Sequence, residues 1–251
     1  MIADALIEAE RTRTPVTPFT QAYPFLDGET AYKAQWFVVE HRLSGGEELA
    51  GAKLGLTSKV KRDALGIHEP LYGWLTTGMM ATHGERVPVD KLIHPRAEPE
   101  IAFLIGEALE PPATIPSVLA ATEAVFAAIE VMDSRYVGRF RFADSVADNA
   151  GAARVVLGSQ PRKPSELVDL KLLGCVFRAR SEVIGTSAGG AVMGHPAAAL
   201  AWLVNTLATR GHYLRAGTVV LTGGLTASVP LRRGSVVSAE FDGLGSVEAF
   251  A

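Results

Sequence analysis

The chain has 251 residues, 48% of them hydrophobic, and carries 24 basic against 27 acidic side chains for a formal charge of -3. That balance offers no electrostatic footprint for nucleic acid or an anionic membrane, and the length suffices for one sizeable core. A single cysteine, Cys175, excludes an internal disulfide and any multi-thiolate metal site, so a metal here must use oxygen or imidazole ligands.

In chain order, Ile2, Ala5, Leu6 and Ala9 recur at helical spacing without the charged-then-apolar pattern of a signal peptide. No run of about 18 consecutive apolar residues exists, so a spanning helix is not expected and the expected location is cytoplasmic. A second helix is predicted from Asp27 to Leu43, with Ala31, Ala34, Phe37, Val38 and Leu43 as its apolar set and Gly45-Gly46 as its stop. Beyond it the runs 100–105, 125–132, 154–157, 172–177, 218–222 and 235–241 read as strands. Helices are predicted at 117–122 and after Pro196, the latter with Leu200, Leu203, Val204 and Leu207 on one face and Gly211 at its end. Strands and helices do not alternate regularly, so the expectation is an α+β fold with a helical segment at 1–46 and a strand-rich body at 47–251.

Glu98 and Glu100 stand two apart, which in an extended chain puts both carboxylates on one face, about 7 Å apart at the backbone. Glu130 lies in the apolar run Ala127-Ala-Ile-Glu-Val-Met132, where a bare carboxylate is costly. Three carboxylates suit Mg²⁺ or Mn²⁺. Spacing alone equally allows Glu98 and Glu100 to be solvated at a strand end, with Glu130 paired to Arg135 or Lys53. Lys53 interrupts a glycine-flanked apolar run, a setting for a pocket ammonium or for an edge-strand lysine pointing to water.

Gly185-Thr-Ser-Ala-Gly189 matches a serine-hydrolase pattern, but no acid lies between Ser187 and the last histidine, His212. The segment reads as a turn or a substrate-facing loop. Gly223-Gly224 lacks the spacing of a phosphate-binding loop, although its backbone N–H groups can receive a carboxylate. His195 is open between capping the following helix, lining a site and packing; Arg135, Asp148 and Asn149 are open between binding substrate and bracing a ligand.

Several of these segments together resemble one known family. Gly51-Ala-Lys-Leu-Gly-Leu-Thr-Ser58, Ala97-Glu-Pro-Glu-Ile101, Ile129-Glu-Val-Met-Asp-Ser-Arg-Tyr136, Val146-Ala-Asp-Asn-Ala150, Met193-Gly-His-Pro196 and Leu221-Thr-Gly-Gly224 are similar to motifs of the hydratase and decarboxylase branch of the fumarylacetoacetate hydrolase superfamily. The resemblance implies a mixed β-roll with flanking helices, and Mg²⁺ or Mn²⁺ held by Glu98, Glu100 and Glu130. It also implies Lys53 as a catalytic residue, with Leu71, Arg135, Asp148, Thr222 and Gly223 lining the substrate site.

Hydratases of that branch carry Pro-Asp-Phe-Gly where this chain has Pro70-Leu-Tyr-Gly73, so the resemblance favours decarboxylation of a small 2-oxo dicarboxylic acid, 2-oxo-3-hexenedioate. Hydration of 2-oxopent-4-enoate and a non-catalytic metal-binding subunit stand as alternatives. A homo-oligomer, associated with the hydratase of the same pathway, is further implied. Two departures stand out. Pro99 lies between the glutamates where relatives carry alanine, expected only at a sheet edge or strand start, and Gly151 replaces a small hydroxyl residue.

Overall fold

The structure, a computed structural model, describes residues 1–81 and 83–251. Its elements run α1 (Ile2–Thr12), α2 (Phe19–Ala22), α3 (Gly28–Ser44), β1 (Leu49–Gly55), α4 (Lys59–Leu65), β2 (Leu71–Thr76), β3 (Met80–Ala81) and β4 (Arg96–Ile105). Then come α5 (Ile115–Ala121), β5 (Thr122–Met132), α6 (Phe142–Ala147), β6 (Ala152–Leu157), β7 (Gly174–Ala179) and β8 (Glu182–Ala188). The chain closes with α7 (Pro196–Ala208), β9 (Val219–Leu221), β10 (Val229–Pro230), β11 (Val236–Phe241) and β12 (Gly245–Phe250).

An eight-stranded mixed sheet has the order β2-β1-β9-β4-β5-β6-β3, with β10 also paired to β4. A four-stranded sheet, β12-β11-β7-β8, packs across β5. This is an α+β mixed roll. One face of the large sheet meets the helices and the small sheet in the main core, which includes Leu6, Val38, Phe103, Ile129, Phe177 and Leu203. The other face is lined by a smaller apolar group, including Leu75, Ala102, Ala128, Val155 and Leu221.

Local chemistry explains the helices. Asp27 caps α3 by accepting the Thr30 N–H at 2.8 Å, and Ala31, Ala34, Gln35, Val38 and Val39 are its buried stripe. Phe37, placed on that stripe by the sequence, is 61% exposed, because a stripe through Ala34, Gln35, Val38 and Val39 leaves position 37 on the far side of the helix. His195 caps α7, its Nδ1 accepting the Ala197 N–H at 3.0 Å, with Pro196 preorganised at the first helical position. The run 189–208 is long and apolar enough to cross a membrane by length and composition alone. Only 13 of those residues form α7, about 20 Å of helix, and Leu200, Leu203, Val204 and Leu207 are buried in the core.

Three expectations need correction. The run from Leu172 starts late as a strand: Leu170–Leu172 is a 3₁₀ turn and β7 begins at Gly174. Gly185–Gly189 is not a turn; its first four residues end β8, where Ser187 opposes Cys175. Pro99 sits inside β4, not at a sheet edge. Its carbonyl accepts the Leu225 N–H at 3.0 Å, so its nitrogen also faces the segment after β9 and costs the β4–β5 ladder nothing.

Candidate metal centre and active site

Strand register assembles the site. Glu98 on β4 opposes Glu130 on β5, and Glu100 lies one same-face step along β4. One carboxylate oxygen from each of Glu98, Glu100 and Glu130 lies within 4.8 Å of the others. Glu100 and Glu130 are fully buried and Glu98 is 9% exposed. On the same face, Lys53 of β1 is buried, with Nζ 3.0 Å from Glu130 Oε2 and 3.0 Å from the Ala150 carbonyl. β1 lies between β2 and β9, so the edge-lysine alternative is excluded, as is a Glu130–Arg135 pair.

The electrostatics call for a cation. Burial, then the charge of Glu130, pushes Glu98 up to about 7. Burial, followed by Glu130 and Glu98, likewise raises Glu100 well above the ordinary carboxylate range. Burial alone would lower the Lys53 ammonium, but the three glutamates outweigh it and raise its pKa. One lysine cannot balance three carboxylates, and Glu100 Oε1 and Glu130 Oε1 are buried without a hydrogen-bond partner among the described residues. Oxygen-only donors, crowded and under-neutralised, fit a hard divalent ion.

Two backbone segments hold this arrangement. After β9, the Gly223 N–H donates to Glu100 Oε2 at 2.6 Å, and Gly224 passes so close to Glu98 that a Cβ there would collide with its carboxylate. On the other side, Asn149, Ala150 and Gly151 all have positive φ, at 49°, 54° and 69°. Asn149 fixes that turn by accepting the Trp74 N–H at 2.8 Å and donating to the Trp74 carbonyl at 2.9 Å. The turn fits because Gly73 leaves room for the Asn149 carbonyl, and its product is the Ala150 oxygen offered to Lys53.

The remaining expected substrate residues divide. Leu71 opposes Gly55 as Gly73 opposes Lys53, so Leu71 shares the face of Lys53 and is buried there. Arg135 and Asp148 instead serve each other: Arg135 Nε donates to Asp148 Oδ1 at 2.5 Å, Nη2 to the Asp148 carbonyl at 2.7 Å, and Nη1 to the Asp133 carbonyl at 3.1 Å. Burial raises Asp148 to about 6 even against the nearby guanidinium. The Thr222 hydroxyl donates to the Ile101 carbonyl at 2.9 Å, and the Gly223 N–H is taken by Glu100. These four are engaged by partners within the protein and brace the site, with Asp148 also on the wall of a neighbouring cavity.

Among the described residues no acid or histidine hydrogen-bonds Ser187, and its hydroxyl lies against the Ala188 carbonyl at 3.5 Å. Asn149, open in the sequence between binding substrate and bracing, braces this turn, whereas Ala150 was not marked by its residue type; only an asparagine before a small residue and glycine hinted at a left-handed turn.

Residues 51–250 match the model of the fumarylacetoacetate (FAA) hydrolase C-terminal family. The chain belongs to the fumarylacetoacetate hydrolase family. Among its relatives, a 4-oxalocrotonate decarboxylase from Pseudomonas sp. (strain CF600) is 38% identical over 250 residues, covering 99% of this chain and 94% of that protein. A 2-keto-4-pentenoate hydratase from Paraburkholderia xenovorans is 37% identical over 248 residues, covering 98% and 91%. The solved 4-oxalocrotonate decarboxylase from Pseudomonas putida, complexed with magnesium and adipate, superposes with a TM-score of 0.95 at 37% identity, covering 99% and 95%. Family membership therefore comes with two neighbouring chemistries, carried by relatives of nearly equal similarity.

Proposed function

We propose that this chain is a divalent-metal-dependent carboxy-lyase of aromatic meta-cleavage catabolism, converting 2-oxo-3-hexenedioate to 2-hydroxypenta-2,4-dienoate and CO₂. The observation that carries the reading is the convergence of three buried carboxylates beside Lys53, in a chain alike over almost its whole length to a magnesium-bound decarboxylase. Mg²⁺ is the expected ion, with Mn²⁺ as an equivalent hard cation. A cytoplasmic setting fits the lone buried cysteine. Assembly as a homo-oligomer, with the pathway hydratase as a further partner, is part of the same proposal.

Glu98, Glu100 and Glu130 would hold the ion, whose Lewis acidity draws charge toward the substrate's C1 carboxylate and C2 carbonyl. When the C5–C6 bond breaks, its electron pair forms the C4–C5 double bond. The former C3–C4 π pair becomes C2–C3, and the C2 oxygen takes up the charge and one proton. Lys53, fixed between Glu130 and the Ala150 carbonyl, stands ready to orient that oxygen and supply the proton. Leu71 supports decarboxylation over hydration, since it puts an apolar side chain on the face of Lys53 where a water-activating acid would otherwise stand.

The test is product identification with purified protein, Mg²⁺ and 2-oxo-3-hexenedioate, following ultraviolet absorbance and CO₂. Glu130→Gln is expected to lower turnover more than about 100-fold, beyond the usual loss of an outer partner. Full turnover in metal-free buffer would overturn the scheme. Preferential hydration of 2-hydroxypenta-2,4-dienoate would assign the hydratase reading, supported by the hydratase relatives. Neither reaction would leave a metal-binding subunit.

A further inference from the structure

We propose that Arg96 and Tyr136 form a receptor for the second carboxylate of a dicarboxylic 2-oxo acid, in a cavity that begins one same-face step beyond the metal ligands on β4 and β5. The inference rests on the reading above for the position of the 2-oxo end. The cavity holds about 330 Å³ and is lined by Arg96, Met132, Tyr136, Phe140, Asp148 and Ala150, among others.

Register fixes where it lies. Arg96 opposes Met132 one same-face step beyond the Glu98–Glu130 pair, about 7 Å along the strands. Ala150, whose carbonyl holds Lys53, forms another part of the wall. A chain anchored at the carboxylate cluster by its 2-oxo end therefore runs toward Arg96 and Tyr136.

Both residues have donors to spare. The Tyr136 ring is fixed edge-on to Phe19 at 6.0 Å and beside Phe140 at 5.7 Å. Its hydroxyl is buried with no hydrogen-bond partner among the described residues, a state native proteins rarely leave unused. Arg96 is aimed by Ser228, Nε donating to Oγ at 2.9 Å and Nη2 to the carbonyl at 2.5 Å. Among the described residues no carboxylate pairs with Arg96, and its Nη1 has no partner.

Three acids near the cavity are already satisfied, which limits their repulsion of an incoming anion, and Glu98, the next same-face residue, would be neutralised by the bound metal. Asp148 is held by Arg135, Asp133 accepts the Ile93 and His94 N–H groups, and Asp144 accepts from Thr20 and the Arg141 N–H. A guanidinium and a neutral phenol together recognise a carboxylate. A monocarboxylic 2-oxo acid leaves both without a partner, so the cavity selects for the second acid group.

Because the leaving group becomes neutral CO₂, this grip weakens as the reaction proceeds, and its removal acts on KM more than on kcat. Binding of 2-oxoadipate and of 2-oxohexanoate, which share the 2-oxo end, is measured calorimetrically with Mg²⁺ present. The protein should prefer 2-oxoadipate by about 10-fold or more, the worth of a charged hydrogen bond. Tyr136→Phe, which keeps the ring packing, and Arg96→Gln should each erase much of that preference while 2-oxohexanoate binding stays nearly as it was. Equal weakening of both ligands, or no preference in the unaltered protein, overturns the receptor. If the preference and its loss are seen but 2-oxo-3-hexenedioate is not decarboxylated, the receptor stands and the decarboxylase reading falls.

Discussion

Glu98 and Glu100 bind their protons more tightly in the folded protein than they would in an unfolded chain, Glu98 rising from its ordinary 4.5 to about 7. Between those values the folded state holds more protons than the unfolded one. Without metal, these two groups therefore favour the fold below the window and cease to do so as pH rises through it. A divalent ion replaces the protons, so the gain in Tm on adding Mg²⁺ should be small at about pH 5 and large at about pH 8. Thermal unfolding at both values checks this, and equal gains would contradict it. Gly224→Ala tests the other contact on Glu98: the added methyl displaces the carboxylate, so Mg²⁺ affinity should fall by at least about 10-fold while the circular dichroism spectrum holds. The same-face placement of Glu98 and Glu100 was legible from their spacing. That Glu130 stands opposite Glu98 was not, because register depends on how two distant segments align.

Among the elements, the Asn149–Gly151 turn concentrates conformational cost in one place. Asn149 tolerates a positive φ better than most residues, but Ala150 does so only because its surroundings hold it. Asn149→Ala removes both bonds to Trp74, leaves that backbone unpaired, and should cost about 2 kcal/mol by chemical denaturation. Lys53 would lose its carbonyl anchor at the same time, so turnover should fall alongside stability. Legibility differs among elements for a physical reason. α1, α3, α7, β4, β5 and β11 announce themselves by periodicity or by caps. β2 is buried on both faces, so its residues do not alternate. In β8, glycine stands next to small polar residues, a composition shared with turns.

At the scale of the molecule, α1 and α3 contribute Leu6, Ala31, Val38 and Val39 to the same core as the sheets, and Gln35 donates to the carbonyls of both Tyr72 and Val146. We therefore expect a chain lacking residues 1–46 to lose cooperative unfolding, visible as a broad thermal transition and poor amide dispersion. A sharp transition in that fragment would show that the strand-rich part folds alone. The roll itself was legible only through resemblance, because composition and strand count do not dictate how a sheet curls.

The Glu98–Glu130 pair places like charges directly across two neighbouring central strands, an arrangement that drives those strands apart. A dication between them reverses the sign of that force and turns a repulsive rung of the ladder into a rivet. Loading with metal should then slow hydrogen exchange most at the amides of Ala97, Glu98, Glu100 and Ile101 and of Ile129–Met132, so that the enzyme is stiffest when it is ready to work.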